Sequence, residues 1–220
     1  MGNVLNTIKN KWRGLSHRFV VKYDRKQDME ICGCSLTEYV PSPFRDTMGA
    51  TGSSATSYWS LEEVFANADF KETDSFIDVG CGKGRVLAFL LREKFPGKIT
   101  GIELTEEVAE YCKKWAEKYE NIEVINGNAF DINYNDYNIL CMCRPFLPPQ
   151  FKQFIEKLEA ELTHPITFYY YVDQQSGGFI KNRPGWKMLE RRILHKKNGY
   201  YLSVAPQGCS VWTYTPENCR

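Results

Sequence analysis

The chain has almost no net charge, no long apolar run and no C-x-x-C pair, and each lack removes a class of function. Its 28 Lys and Arg balance 27 Asp and Glu, so no global field draws it to nucleic acid or acidic lipid, and no DNA partner is expected. No stretch approaches the roughly eighteen apolar residues of a transmembrane helix. The first ten residues are mixed in character rather than an apolar signal core, which places the protein in the cytoplasm. Met1-Gly2 opens like a myristoylation signal, yet Asn6 stands where Ser or Thr is needed. The 8 cysteines follow no secretory signal in a chain long enough to bury a core, so they read as small hydrophobes in a reducing compartment. The C-x-C pairs Cys32/Cys34 and Cys141/Cys143 lack the common zinc spacing, and no metal is expected.

What is present suits one α/β domain with a short extra segment: 220 residues, 43% hydrophobic and 25% charged. Residues 1–70 read as a helical and loop extension covering the site, and residues 71–220 as the core. In the extension, Leu5, Ile8, Trp12, Leu15 and Phe19 recur at helical spacing between Val4 and Val21. Lys9, Lys11, Arg13, Arg18 and Lys22 make the other face basic, as in a helix docked on the domain with its cations in water. A peripheral membrane or partner contact through that basic face is the sharper alternative. Pro41, Pro43, Gly49 and Gly52 break residues 28–58 into a loop long enough to suggest function. A helix over Trp59–Ala68, capped by Ser60, follows.

From Ser75 onward short apolar strands alternate with helices. Strands are expected at Phe76–Val79, Lys98–Ile102, Ile122–Ile125, Tyr137–Cys143 and Ile166–Val172. Helices are expected at Gly84–Lys94, at Thr105–Tyr119 with Thr105 as its cap, and at Pro149–Leu162. The segments Met188–Leu194 and Tyr200–Thr215 hold the last, antiparallel strands. This alternation predicts a mostly parallel sheet with helices on both faces.

The strongest signal is Phe76-Ile77-Asp78-Val79-Gly80-Cys81-Gly82-Lys83-Gly84-Arg85. An apolar strand ends in an acid, passes three alternating glycines and enters a helix. Glycines there let the backbone turn sharply and let a ligand lie against bare main chain. The dinucleotide pattern G-x-G-x-x-G fails, because its third glycine falls on Arg85, and no Ser or Thr follows the lysine as a P-loop requires. Asp78 suits a cationic ligand. A second strand ends at Glu103, about twenty residues on, where a carboxylate meets ribose hydroxyls. Leu104 is placed to pack on an adenine, Asn128 to accept from its amino group and the Ala129 amide to meet a ring nitrogen.

These residues resemble the class I (Rossmann-like) S-adenosylmethionine-dependent methyltransferases, from roughly Ser75 to Thr215. Asp78 to Leu87 is similar to the D-x-G-C-G-K-G-R-V-L form of small bacterial members. The resemblance implies a seven-stranded sheet with an antiparallel last strand and S-adenosylmethionine as cofactor. It also implies cofactor contacts at Gly80, Gly82, Gly84, Glu103, Asn128 and Ala129; Asp78, Leu104, Cys81 and Cys143, the last at the end of the fourth strand, are further cofactor-binding candidates. Many members follow that strand with Asn-Pro-Phe facing the methyl group. Here Arg144-Pro145-Phe146 replaces it, which removes the usual amine-holding Asn and offers a group for a carboxylate or phosphate. Tyr39-Val40-Pro41-Ser42-Pro43 is similar to a stretch that lies over the cofactor in certain protein-lysine methyltransferases, so Tyr39 and Arg144 are the catalytic candidates and Tyr39, Pro41 and Tyr58 the expected lid. Tyr171, Asp173 and His195 are candidate bases. The function implied is direct in-line methyl transfer to an unidentified small molecule or protein side chain. A non-catalytic cofactor-binding protein and a nicotinamide-dinucleotide oxidoreductase are the rivals.

Overall fold

The fold was analysed in a computed structural model, which describes the backbone of residues 2–219 and the side chains of residues 11–217 and 219. The chain runs through α1 (Gly2–Ile31), α2 (Arg45–Met48), α3 (Tyr58–Val64), β1 (Ser75–Val79), α4 (Arg85–Arg92), β2 (Lys98–Glu103), α5 (Glu106–Ala116) and β3 (Ile122–Asn126). It continues through β4 (Ile139–Met142), α6 (Pro148–Glu161), β5 (Ile166–Tyr171), β6 (Trp186–Leu194) and β7 (Gln207–Tyr214), with a small hairpin of Lys196–Lys197 and Tyr200–Tyr201 between the last two.

The seven strands lie in the order β3-β2-β1-β4-β5-β7-β6. The first five in this order are parallel neighbours. β7 is antiparallel to both β5 and β6, so it alone runs against the rest. This is the mixed seven-stranded sheet that the resemblance implies. Strands buried on both faces need apolar residues throughout, and β4 and most of β1 are buried at every position. Phe76, Leu87 and Trp115 anchor the core between the sheet and α3, α4 and α5. Phe151, Phe154 and Leu158 of α6 anchor the core on the other face. Connections leave β1 in one direction toward β2 and β3, and β4 lies on its other side. The crevice at the carboxyl ends of β1 and β4 is therefore the switch point where ligands bind in such sheets.

The first helix is longer than its apolar pattern suggests. Leu5, Ile8 and Lys9 lie outside the described side chains, as does the Met1-Gly2 signal. Further along, Phe19 stacks on Tyr200 of the hairpin with ring centroids 4.4 Å apart, and Trp12 donates to the Gly199 carbonyl at 3.2 Å. The expected stop at Val21 and loop from Asp28 are both overturned: helix continues to Ile31. The reason is electrostatic. Asp24 and Asp28, one turn apart on the same face, are buried against Arg85 at the start of α4. Arg85 donates to both Asp28 oxygens at 3.0 and 2.6 Å and approaches Asp24 at 3.4 Å. The opening helix is thus clamped to the helix that follows the glycine loop. Two caps also differ from expectation. Ser57, not Ser60, caps α3, accepting the Ser60 N–H at 3.1 Å. Thr105 occupies the cap of α5 without a side-chain bond; the Glu103 carboxylate takes the Thr105 N–H instead.

Candidate functional site

β1 delivers Asp78 to its carboxyl end, and the chain then turns through Gly80, Gly82 and Gly84 at φ of 73°, 56° and 89°. These left-handed angles favour residues without Cβ. Each glycine also faces a different wall. A Cβ on Gly80 would run into Pro145, and one on Gly82 would sit 2.5 Å from Ser53 Oγ. One on Gly84 would sit 2.5 Å from Cys112 Sγ and 2.7 Å from Trp115. Gly80 and Gly82 line a cleft with about 800 Å³ of empty space, solvent at its mouth included. Gly84 does not; it packs the loop onto α5, where Trp115 Nε1 donates to the Lys83 carbonyl at 2.9 Å. Gly84 was expected at the ligand, and here it stands outside the cleft lining, against α5.

The same cleft brings together Asp78, Cys81, Glu103, Leu104, Asn128, Ala129 and Cys143. Glu103 ends β2 and accepts the Gly82 N–H at 3.0 Å on one oxygen and the Thr105 N–H at 2.8 Å on the other. Each oxygen keeps a second lone pair for a ligand hydroxyl. Asn128 follows β3, but its side-chain oxygen caps its own turn by accepting the Phe130 N–H at 3.0 Å, so any bond to a ligand there uses what remains. Asp78 is 2% exposed, and its Oδ1 has no partner. Burial, and behind it the nearby Cys143, Cys112 and Glu103, holds its carboxyl well above the usual range. An unpartnered buried carboxyl in a cleft wall is costly unless a ligand supplies a donor or a cation.

A strap of residues 50–56 covers this cleft. It is pinned on one side by the bridge between Val40 and Ser53 and on the other by that between Ala50 and Phe146. Thr51 adds two bonds to the segment after β4, from its N–H to the Pro145 carbonyl at 2.8 Å and from its hydroxyl to the Arg144 carbonyl at 2.9 Å. Sequence reasoning saw only a small, polar, broken loop here and missed Ser53 and Thr56. The two bridges join segments far apart in sequence, and no local pattern announces them.

Behind the strap lies a second cavity of about 970 Å³, again counting open solvent. Thr51, Gly52, Ser54, Ala55, Thr56 and Cys143 line both spaces. Arg144, Tyr39, Tyr171 and Arg45 line the second alone. Hydrogen bonding with Cys141 and Thr56 holds the Cys143 thiol below its ordinary value against the opposing effect of burial. Tyr39 is 62% exposed at the rim. The remaining candidates lie elsewhere. Tyr58 is fully buried beneath Arg85 and Arg92, so it is no part of a lid. Asp173 is buried and held by Arg191 at 2.9 Å through both oxygens. His195 meets Tyr201 of the hairpin edge to face, away from both cavities. Arg45 carried no sequence signal; only the fold of α2 brings it in. Among the described residues no group of His, Cys, Asp and Glu is arranged to hold a metal, and no helix is long and apolar enough to cross a membrane.

A sheet of this order with a glycine loop at its switch point narrows the choice of fold family, and comparison with known proteins agrees with it. Residues 70–170 match the model of a family described as a methyltransferase domain. The match takes in a little less than half of the chain and shows that this part is similar to such a domain. A fatty-acid O-methyltransferase of Mycolicibacterium smegmatis is 28% identical over 111 residues, which are 49% of this chain and 39% of that protein. The chain spans about half or less of the length of the curated relatives it matches. Among solved structures, a methyltransferase of Pyrococcus furiosus superposes with a TM-score of 0.63 at 15% identity, covering 91% of this chain and 98% of the other. An RNA methyltransferase of Salinibacter ruber in complex with S-adenosyl-L-homocysteine has a TM-score of 0.53 at 18% identity and covers 74% and 94%. At such identities the structures share the fold alone.

The Salinibacter ruber protein is in complex with S-adenosyl-L-homocysteine, and the residues of the cleft here fit an adenosyl ligand of that kind. Glu103 retains acceptor capacity for vicinal hydroxyls, Leu104 and Ala129 offer apolar surface to a flat ring, and the orphaned Asp78 oxygen meets the need of a cationic ligand for an acceptor.

Proposed function

We propose that the chain transfers a methyl group from S-adenosylmethionine, held in the glycine-loop cleft, to a small molecule or protein side chain entering the second cavity. The observation that carries this reading is the wall the two cavities share. The donor space and the space beyond it meet at Cys143 and at Thr51, Gly52, Ser54, Ala55 and Thr56, as a direct transfer between neighbouring ligands requires.

When bound, the cofactor supplies a methyl group already activated by a positive sulfur. The protein's share is then placement and exclusion of water. Gly80 and Gly82 keep the main chain bare against the ligand, Glu103 fixes its hydroxyls and holds the loop through Gly82, and Asp78 receives positive charge. The strap closes the cleft from solvent. Arg144 replaces the Asn that would hold an amine, so nitrogen acceptors lose support.

Thermal unfolding with adenosylhomocysteine or NAD tests the reading. Adenosylhomocysteine raises the melting temperature and NAD does not. Stabilisation by NAD alone overturns it. Labelled S-adenosylmethionine with cell extract then reports turnover, and binding without any labelled product favours a non-catalytic protein.

A further inference from the structure

The second cavity has a distinctive electrostatic make-up. Two guanidinium groups line it, Arg45 from α2 and Arg144 from the segment after β4. Among the described residues neither is in an ion pair or donates a side-chain hydrogen bond. No Asp, Glu, His or Lys stands in its wall. The rest of the lining is largely hydroxyl and amide, including Ser54, Thr56, Ser203 and Gln207. Cations without counter-ions in a polar hollow call for an oxyanion, and a planar guanidinium matches a carboxylate in two-point geometry.

The backbone points the same way. Arg144 has φ of 54° and Val172 a φ of 62°. Both are left-handed, both lie at the carboxyl ends of adjacent strands, and both line this cavity. For a β-branched residue such a conformation is an outlier, held here by the Val172 N–H on the Gly208 carbonyl at 2.7 Å. Strained residues persist where the surroundings over-determine them, and such places cluster at ligand clamps.

The wall also decides which atom accepts the methyl. A hydroxyl acceptor needs a base to take its proton; a carboxylate does not. The titratable groups here besides the arginines are Tyr39, Tyr171 and Cys143. Burial pushes the Tyr171 hydroxyl up to about 12, so it stays protonated. The Cys143 thiol, held below its ordinary value by its bonds with Cys141 and Thr56, stands in the wall shared with the donor cleft.

We propose that the methyl acceptor is a small polar carboxylate bound by Arg144 and Arg45, and that its own oxygen takes the methyl group to give a methyl ester. This rests on the donor reading above. The carboxylate oxygen attacks in line, the carbon–oxygen bond forms as the carbon–sulfur bond breaks, and the bonding pair leaves on sulfur as a neutral thioether. No proton moves, which is why the wall contains no carboxylate or imidazole base.

The test is isothermal calorimetry on the adenosylhomocysteine-loaded protein. Lactate, malate, citrate and 4-hydroxybenzoate are titrated, each beside its amide, together with inorganic phosphate. At least one acid binds tenfold or more tightly than its amide and than phosphate, and Arg144→Gln and Arg45→Gln each weaken that acid at least tenfold. Both variants keep the wild-type circular dichroism and adenosylhomocysteine affinity. With S-adenosylmethionine in place of its product, mass spectrometry finds a methyl ester, and for 4-hydroxybenzoate not the ether. The proposal is overturned if no acid outbinds its amide, if phosphate binds best, if both glutamine variants bind like wild type, or if the ether forms. Failure of adenosylhomocysteine itself to bind instead overturns the donor reading, so the two failures are distinct.

Discussion

Replacing Asp24 with Asn is expected to stabilise the protein at neutral pH, although it removes one of the two carboxylates of a buried ionic cluster. Arg85 carries one positive charge between two carboxylates that are 5% and 0% exposed, so the cluster holds one negative charge too many. Desolvation outweighs the attraction of Arg85 and the bond from the Tyr58 N–H, and the Asp24 carboxyl rises from 3.8 to about 6. The sign follows from proton counting. Between those two values the folded chain binds more protons than the unfolded one, so stability is highest below the lower value. It is lost as pH climbs through about 6. The gap amounts to about 3 kcal/mol at neutral pH. Asparagine stands for the neutral acid at every pH, keeps an oxygen for Tyr58 and leaves Arg85 and Asp28 as a balanced pair. In urea unfolding followed by tryptophan fluorescence, Asp24→Asn gains about 2–3 kcal/mol at about pH 7.5 and close to nothing at about pH 4. In melting temperature that is roughly 6–9 °C for a chain of this size. Arg85→Met does the reverse: it strands two buried carboxylates and costs about 3–5 kcal/mol. A loss of stability in Asp24→Asn at neutral pH would refute the argument, because it would show the pairing, not the desolvation, to be dominant.

The glycines separate by neighbour. Gly82→Ala lowers adenosylhomocysteine affinity at least tenfold by pushing on Ser53, and a second change, Ser53→Gly, restores part of it in calorimetry; no recovery contradicts the contact. Gly84→Ala strikes Cys112 and Trp115 instead and costs about 2 kcal/mol or more in urea unfolding. Glu103→Ala leaves the Gly82 and Thr105 amides without an acceptor and weakens adenosylhomocysteine at least tenfold, whereas unchanged affinity would move the site elsewhere. Arg191→Ala abandons Asp173, which is 2% exposed, and costs about 3 kcal/mol in chemical denaturation.

The parts of this molecule legible in the sequence are those whose cause is local. Alternating apolar strands and amphipathic helices expose the sheet, and three glycines after an apolar run can serve few purposes but a tight turn. Glu103 and Asn128 could be placed because they lie at or just past the carboxyl ends of successive strands. What stayed hidden depends on partners remote in sequence. Asp24 and Asp28 are polar residues facing inward, so a pattern-based reading ended α1 early; only Arg85, 61 and 57 positions away, explains them. The strap looks like linker because its order comes from Val40 and Phe146. Arg45 is one exposed arginine among many until the chain folds around it. Gly84 carries the same letter as Gly80 and Gly82 but answers to α5.

Because Thr51, Gly52, Ser54, Ala55, Thr56 and Cys143 are walls of two rooms at once, the affinities of the two occupants are tied. Whatever the first ligand changes in that partition alters the binding constant of the second by some factor, and the second must alter the first by the same factor. A strap that settles more firmly on one guest therefore sets the order in which guests arrive and depart, with no separate regulatory site.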